Sequence, residues 1–188
     1  NLLRSAVTWL DTSSLGEHAN HQSDRGISIY NRSEAEQVIH LLKEISESGQ
    51  FLTDFSNLKD KDDALIGVIC MYAEQKRLIR QKFNQGIWSD GFKELVKIDT
   101  VDSYQGKENR VIILSLTRSD KKMSPGFLRT PNRINVAMSR AMDRLLIIGN
   151  SELWKTHNQD KPLGQVVSYM VERGEAAGYK FIFAEKYR

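Results

Sequence analysis

Near the middle of the chain lies Arg110-Val111-Ile112-Ile113-Leu114-Ser115-Leu116, a run in which apolar residues do not alternate with polar ones. A strand with this pattern is buried on both faces, which is typical of a parallel sheet covered by helices. The same pattern occurs over residues 65–71 and 144–149. We therefore expect these three segments to form the middle of a parallel sheet.

Strand-like and helix-like segments alternate along the rest of the chain. Further strands are predicted over residues 6–10 and 94–98, with a short one over 179–183. Ser33 followed by Glu36 forms a capping-box pattern, which predicts a helix that ends at Gly49. Four more helices are predicted at roughly 74–83, 131–140, 151–156 and 163–173. This alternation predicts an α/β domain with a mostly parallel sheet and helices on both faces.

The composition excludes several classes of protein. A length of 188 residues with 40% hydrophobic content suffices for one domain with a core, so we expect residues 1–188 to form a single domain. The lone cysteine, Cys70, excludes a disulfide framework and fits a reducing compartment, the cytoplasm or a eukaryotic nucleus. The four histidines lack metal-ligand spacing, so no metal site is predicted. Because the chain does not begin with methionine, we expect a fragment of a longer polypeptide.

Positive charge is concentrated in the later two-thirds of the chain. Residues 1–60 contain 5 Lys and Arg against 9 Asp and Glu, a balance of −4, whereas residues 61–188 contain 22 against 15, a balance of +7. A basic surface can hold polyphosphate or nucleic acid. Ordinary solvated lysines explain the same numbers, so charge alone leaves both interpretations open.

The chain lacks the sequence of a phosphate-binding loop. Its single Gly-Lys pair, Gly106-Lys107, is followed by Glu108 where Ser or Thr is required. No predicted strand ends in the acidic pair that would hold Mg²⁺. We therefore expect the isolated chain to be inactive as a nucleotide hydrolase.

Two polar segments each lead into a buried strand. The first is Thr100-Val101-Asp102-Ser103-Tyr104-Gln105-Gly106-Lys107-Glu108, and the second is Pro131-Asn132-Arg133-Ile134-Asn135-Val136-Ala137-Met138-Ser139-Arg140-Ala141. From the residues alone, the first is explained equally well by a surface loop with a turn at Gly106. The second is explained by an amphipathic helix with solvated arginines.

The two segments together resemble motifs V and VI of superfamily 1 helicases, in the branch of the nonsense-mediated-decay RNA helicase and its DNA-helicase relatives. The resemblance implies a RecA-like lobe of the P-loop-NTPase type. It implies that Glu108, with Gln105 and Gly106, contacts ATP, and that Thr100 and Ser103 contact the nucleic-acid backbone. Arg140 occupies the arginine-finger position, where a planar, permanently charged guanidinium can meet two γ-phosphate oxygens at once.

Two upstream segments resemble further motifs of the family. Tyr30-Asn31-Arg32-Ser33-Glu34-Ala35 is similar to an Asn-Arg-Thr-Glu-Ala segment, which implies that Arg32 is a second γ-phosphate contact. Residues 66–75 resemble motif IV, although Cys70-Met71 replaces the usual Thr-Pro, and Tyr72 is the implied nucleic-acid contact there. Lys121 and Lys122 are candidate phosphate contacts in a polar loop.

The resemblance predicts the second motor lobe of an ATP-dependent DNA or RNA helicase. ATP and Mg²⁺ would be bound mainly by a first lobe of the same polypeptide, and the other partner is single-stranded nucleic acid. One alternative is a nucleic-acid-binding module of the same fold without catalysis. Another is a doubly wound small-molecule enzyme, which is disfavoured because no G-x-G-x-x-G follows the first strand.

Overall fold

A computed structural model describes residues 2–23, 28–49, 53, 64–104 and 108–184. Within these residues one six-stranded sheet has the order β3-β2-β4-β5-β1-β6, and each pair of neighbouring strands is parallel. The strands are β1 (Val7–Asp11), β2 (Ile66–Cys70), β3 (Val96–Thr100), β4 (Asn109–Ser115), β5 (Ala141–Gly149) and β6 (Tyr179–Phe183). The predicted α/β class and central strands are confirmed.

Helices cover both faces of this sheet. They are α1 (Arg32–Glu47), α2 (Ala73–Gln85), α3 (Pro131–Met138), α4 (Glu152–Lys155) and α5 (Pro162–Arg173). The apolar sides of α1 and α2 pack on one face, and those of α3, α4 and α5 pack on the other. No helix among the described residues is long and apolar enough to span a membrane.

The predicted start of the first helix was wrong by two residues. The N-cap is Asn31, whose side chain accepts a hydrogen bond from the backbone N–H of Glu34 at 3.1 Å. Ser33 already lies inside the helix, and its hydroxyl donates to the carbonyl of His18. Asn caps a helix as well as Ser does, so the pattern at Ser33 and Glu36 could not distinguish the two starts.

Three other boundaries also differ from the prediction. The helix expected to reach Arg140 ends at Met138, because the backbone N–H of Ser139 closes the last turn on Asn135. Strand β5 then begins at Ala141, three residues earlier than expected. Strand β3 begins two residues later than expected, because Phe92–Leu95 forms a 3₁₀ turn.

Two connections return across the same face of the sheet. In a parallel sheet each connection must run from the carboxyl edge, where strands end, back to the amino edge, where they begin. Residues 101–108 join β3 to β4 through a 3₁₀ turn at Asp102–Tyr104, and α3 lies in the connection from β4 to β5. Tyr104 and Ile134 belong to one buried cluster with the sheet residue Ile112. We refer to these connections as the first and second crossovers.

The first crossover lies close to β2 because that strand contains a glycine. The fully buried ring of Tyr104 sits over Gly67, and its hydroxyl donates to the side-chain oxygen of Asn109 at the start of β4. A Cβ on Gly67 would overlap the Tyr104 hydroxyl and lie 2.7 Å from Cδ1 of Ile112. The missing side chain therefore makes room for the crossover.

Gly67→Ala is expected to destabilise the fold by about 1–3 kcal/mol, the usual cost of overpacking a dense core. Chemical denaturation would measure this change. Gly49→Ala is the matched control, because a Cβ at Gly49 meets nothing within 4 Å. Equal stability of the two variants would contradict the packing described for Tyr104.

Candidate functional site

The residues predicted to be functional lie at two opposite edges of the sheet. Thr100, Ser103, Tyr72, Lys121 and Lys122 follow the ends of β3, β2 and β4, at the carboxyl edge. Glu108 and Arg140 directly precede β4 and β5, at the amino edge. Gln105 and Gly106 lie outside the described residues.

Two hydroxyl groups lie side by side where β3 ends. The Thr100 hydroxyl donates to the Ser103 hydroxyl at 3.1 Å, and the backbone N–H of Ser103 donates to the Thr100 oxygen at 3.4 Å. Ser103 is exposed, and Thr100 is partly so. A pair of accessible hydroxyls can donate to phosphate oxygens and lacks the two-point fit by which a side chain specifies one base, so it suits contact with a nucleic-acid backbone.

The loop after β4 supplies cationic side chains at the same edge. Lys121 pairs with Glu17 at 2.6 Å, and Lys122 is exposed. Sequence reasoning missed Arg118, which donates to the carbonyl of Ser124 at 2.9 Å. Its position just beyond the end of β4 was the available signal, because ligands of parallel sheets collect at that edge.

Tyr72 is a packing residue of this edge. It caps α2, is 7% exposed, and its ring centroid lies 4.4 Å from that of Phe127. Burial raises the pKa of its phenol, against the opposing effect of the Arg118 charge. A ring buried in this way is not presented to a base, which argues against the nucleic-acid contact expected for Tyr72.

A buried polar network holds α1 and α2 at the carboxyl edge. The backbone N–H of Asn31 donates to the side-chain oxygen of Gln75 at 2.7 Å, and the Gln75 amide donates back to the Asn31 carbonyl at 3.2 Å and to the Ser115 hydroxyl at 3.0 Å. Ser115 and the backbone N–H of Thr117 both donate to the Glu34 carboxylate at 2.7 Å. Asn31 and Glu34 lie beside Arg32 in the sequence, and Gln75 follows Tyr72. Their side chains form hydrogen bonds within the protein that hold the carboxyl edge together.

Glu34 is fully buried within this network. Burial raises the pKa of its carboxyl group to about 8, against the opposing effect of the hydrogen bonds from Ser115, Thr117 and Leu116. Thr117 adopts a left-handed backbone conformation with φ of 67°, which is costly for a β-branched residue. Its hydrogen bond to Glu34 offsets part of that cost and sets the path of the loop that carries Arg118.

The nucleotide candidates Glu108 and Arg140 meet at the amino edge. The backbone N–H of Asn109, next to Glu108, donates to the carbonyl of Arg140 at 3.0 Å. Glu108 is exposed and Arg140 is partly exposed. The Nε of Arg140 is buried and makes no hydrogen bond within the described part of the chain. The first and second crossovers therefore end side by side, joined by this backbone hydrogen bond.

The resemblance implied that Arg32 and Arg140 contact the same γ-phosphate, and the structure does not bring them together. Arg32 follows the network residue Asn31 at the carboxyl edge, where its Nε donates to Gln22 at 3.0 Å. Arg140 lies at the opposite edge, separated by the length of β4, about 20 Å. Arg32 and Arg140 therefore start from different edges of the sheet, and the γ-phosphate contact expected for Arg32 stays a prediction.

The acidic and histidine side chains do not form a metal site in the part of the chain that is described. No three His, Cys, Asp or Glu side chains there lie close enough together to hold an ion.

Comparison with known proteins identifies the family to which the chain belongs. A family model described as an AAA domain matches residues 2–152. A putative helicase, mov-10-B.1 of Danio rerio, is 31% identical over 168 residues, which cover 85% of this chain and 16% of that protein. The helicase sen1 of Schizosaccharomyces pombe is 36% identical over 69% of this chain and 7% of its own length. Regulator of nonsense transcripts 1 of Caenorhabditis elegans is 32% identical over 72% and 12%. The chain thus spans a small part of each of these relatives.

Glu34→Gln is expected to flatten the dependence of stability on pH. In the folded protein the pKa of Glu34 is about 8, against 4.5 for an ordinary glutamate, so the folded state holds a proton that the unfolded state releases. The stabilising contribution of the protonated carboxyl is complete below about pH 4.5 and is lost as pH rises through about 8, at up to about 1.4 kcal/mol per pH unit.

Denaturation with urea from pH 5 to pH 9 would measure this dependence. Glu47→Gln, an exposed change at the end of the same helix, is the control and should keep the slope of the unmodified chain. Parallel slopes for Glu34→Gln and the unmodified chain would contradict the burial of a neutral carboxyl group.

Proposed function

We propose that this chain acts as the second motor lobe of an ATP-dependent helicase. The chain belongs to the AAA-domain family and is a superfamily 1 helicase C-terminal lobe. The membership rests on the match over residues 2–152 and on the helicase relatives. It disfavours the small-molecule enzyme considered from the sequence. The observation that carries the proposal is the backbone hydrogen bond that joins Asn109, next to Glu108, to Arg140 at the edge of the sheet opposite the hydroxyls of Thr100 and Ser103.

Arg140 is the proposed arginine finger. Its carbonyl is held by the backbone of Asn109, so the residue starts from a defined position. Its buried Nε has no hydrogen-bond acceptor among the described residues, and a phosphate oxygen would supply one. Bound Mg²⁺ and ATP would supply the phosphoryl group and part of its charge neutralisation, and the Arg140 guanidinium would then meet the charge that develops on the γ-phosphate. Glu108, beside it, is placed to accept hydrogen bonds from ribose hydroxyls.

The carboxyl edge is the proposed track for a single strand of DNA or RNA. Thr100 and Ser103 supply hydroxyl donors, and Arg118, Lys121 and Lys122 supply positive charge. Contacts of this kind hold the backbone and are salt-sensitive, because each one releases counterions from the nucleic acid. The expected binding is therefore weak in the isolated lobe and almost independent of base sequence.

The remaining parts of the motor are assigned to a first lobe of the same polypeptide. That lobe would supply the phosphate-binding loop and the carboxylates for Mg²⁺, which we did not find in this sequence. Residues 1–188 would then belong to one second lobe, within a protein of the cytoplasm or nucleus. Gln105 and Gly106 remain predicted nucleotide contacts in the first crossover.

The isolated chain is expected to hydrolyse ATP at the background rate, with or without poly(U) or poly(dT), because one arginine cannot replace a phosphate-binding loop. Steady-state phosphate release would test this. A matched preparation of the two-lobe protein serves as the positive control. Strong stimulation of the isolated chain by either polymer would overturn the division of the site between two lobes.

Arg140→Ala in the two-lobe protein is expected to lower kcat by about 10³-fold or more, as for other arginine fingers. Binding of single strands without nucleotide should stay near that of the unmodified protein, because Arg140 lies at the opposite edge. Arg140→Lys should recover little, since an ammonium group lacks the planar fork.

Arg173→Ala is the control for the loss of one arginine, because Arg173 is exposed at the end of α5, before the outermost strand β6, and no role at either site is predicted for it. It should leave kcat within two-fold. If Arg140→Ala stays folded and keeps near-normal turnover, the chain is better explained as a nucleic-acid-binding module without catalysis.

A further inference from the structure

One ion pair connects the two crossovers at their nucleic-acid ends. Asp102, in the first crossover, and Arg133, in the first turn of α3, form a two-point contact: Nε to Oδ1 is 3.0 Å and Nη2 to Oδ2 is 3.4 Å. The two residues are 31 positions apart in sequence. The pair therefore links the first crossover to the second, which are distant from each other in the sequence.

The surroundings of Arg133 fix the direction of this contact. Its guanidinium carbon lies 4.9 Å from the centre of the Phe127 ring, and that ring packs against Tyr72 at 4.4 Å. The guanidinium thus contacts both an aromatic ring and a carboxylate. Such a planar, two-point contact transmits orientation as well as charge.

The pair has little to contribute to stability. The side chain of Arg133 is 43% exposed and that of Asp102 is 68% exposed. Ion pairs this exposed are screened by water and are seldom needed by a fold. Their location is more informative: Asp102 lies directly before Ser103 and two residues after Thr100, and Arg133 lies on the helix that leads to Arg140.

We propose that Asp102 and Arg133 form a positioning pair that couples nucleic-acid binding at the carboxyl edge to the placement of Arg140. This inference rests on the proposed function. A strand bound at Thr100 and Ser103 fixes the 3₁₀ turn that contains Asp102. The ion pair transfers that position to the first turn of α3, and the helix transfers it to Met138, two residues before Arg140.

The route has the physical continuity that coupling requires. The first crossover ends at Glu108 and the second at Arg140, and the hydrogen bond from Asn109 to Arg140 joins these ends. The two connections are therefore tied at both edges of the sheet, by the ion pair at one and by a backbone bond at the other. Movement of one crossover without the other would break the ion pair or the backbone hydrogen bond.

The test is a double-mutant cycle in the two-lobe protein, with Asp102→Asn, Arg133→Gln and the two combined. Three quantities are measured: ATP turnover without polynucleotide, turnover with saturating poly(U) or poly(dT), and polymer affinity. Each single variant should reduce the stimulation by about 5-fold or more, within the usual range of coupling between sites. Basal turnover and polymer affinity should stay within two-fold, and the combined variant should be no worse than either single one.

Exchange of the two charges, Asp102→Arg with Arg133→Asp, should restore part of the stimulation, which a role in folding alone does not predict. Lys82→Gln is the control, because it removes an ion pair of similar exposure between α2 and Glu36 of α1 on the other face of the sheet. It should leave the stimulation unchanged. Thermal midpoints should be the same for all variants.

Full stimulation in the single variants would overturn the coupling role. A loss of polymer affinity that matches the loss of stimulation would also overturn it, because the residues would then contact the strand directly. If the unmodified two-lobe protein shows basal turnover but no stimulation, the coupling role fails alone. If it shows no turnover at all, the proposed function fails with it.

Discussion

The parallel pairing of all six strands is the constraint on which the rest of the structure depends. Because every strand runs the same way, each connection on a face must travel from the carboxyl edge to the amino edge. The first and second crossovers do so side by side, and each carries one kind of side chain at its start and another at its end. Thr100 and Ser103 begin one crossover and Glu108 ends it, while α3 leads the other to Arg140. The topology thus gives one small lobe two chemically different surfaces that share the same backbone connections.

A second requirement is that the carboxyl edge stays in place when charged ligands bind there. The network of Asn31, Glu34, Gln75, Ser115 and Thr117 provides this, because it joins two helices to the ends of β2 and β4 through buried hydrogen bonds. A partly satisfied network of this kind would be costly, so its members are restricted to side chains that can donate and accept in the right places. The neutral form of Glu34 avoids burial of an unpaired charge. Polar motif residues can therefore be essential without touching a ligand.

Much of the fold could be predicted from the sequence, because runs such as residues 110–116 and 144–149 signal strands buried on both faces. The candidate site could be predicted less completely. The sequence predicted no role for Asp102, Arg133 or Arg118, because their importance comes from contacts made in three dimensions. The position of Arg32 could not be predicted for the same reason, since sequence order does not tell which edge of a sheet a motif reaches; its contact with the γ-phosphate stays a prediction. Tyr72 was predicted as a contact, yet its ring is buried against Phe127.

The central claim is that the lobe holds nucleic acid at the carboxyl edge and nucleotide at the amino edge. Photo-crosslinking of the two-lobe protein, followed by mass spectrometry of the peptides, tests it most directly. A poly(U) probe containing 4-thiouridine should label peptides that contain Thr100, Ser103 and the loop with Lys121. An ATP analogue with a photoreactive group on the γ-phosphate should label the peptide that contains Arg140. Labelling of one edge by both probes, or labelling of the edges in the opposite order, would contradict the account.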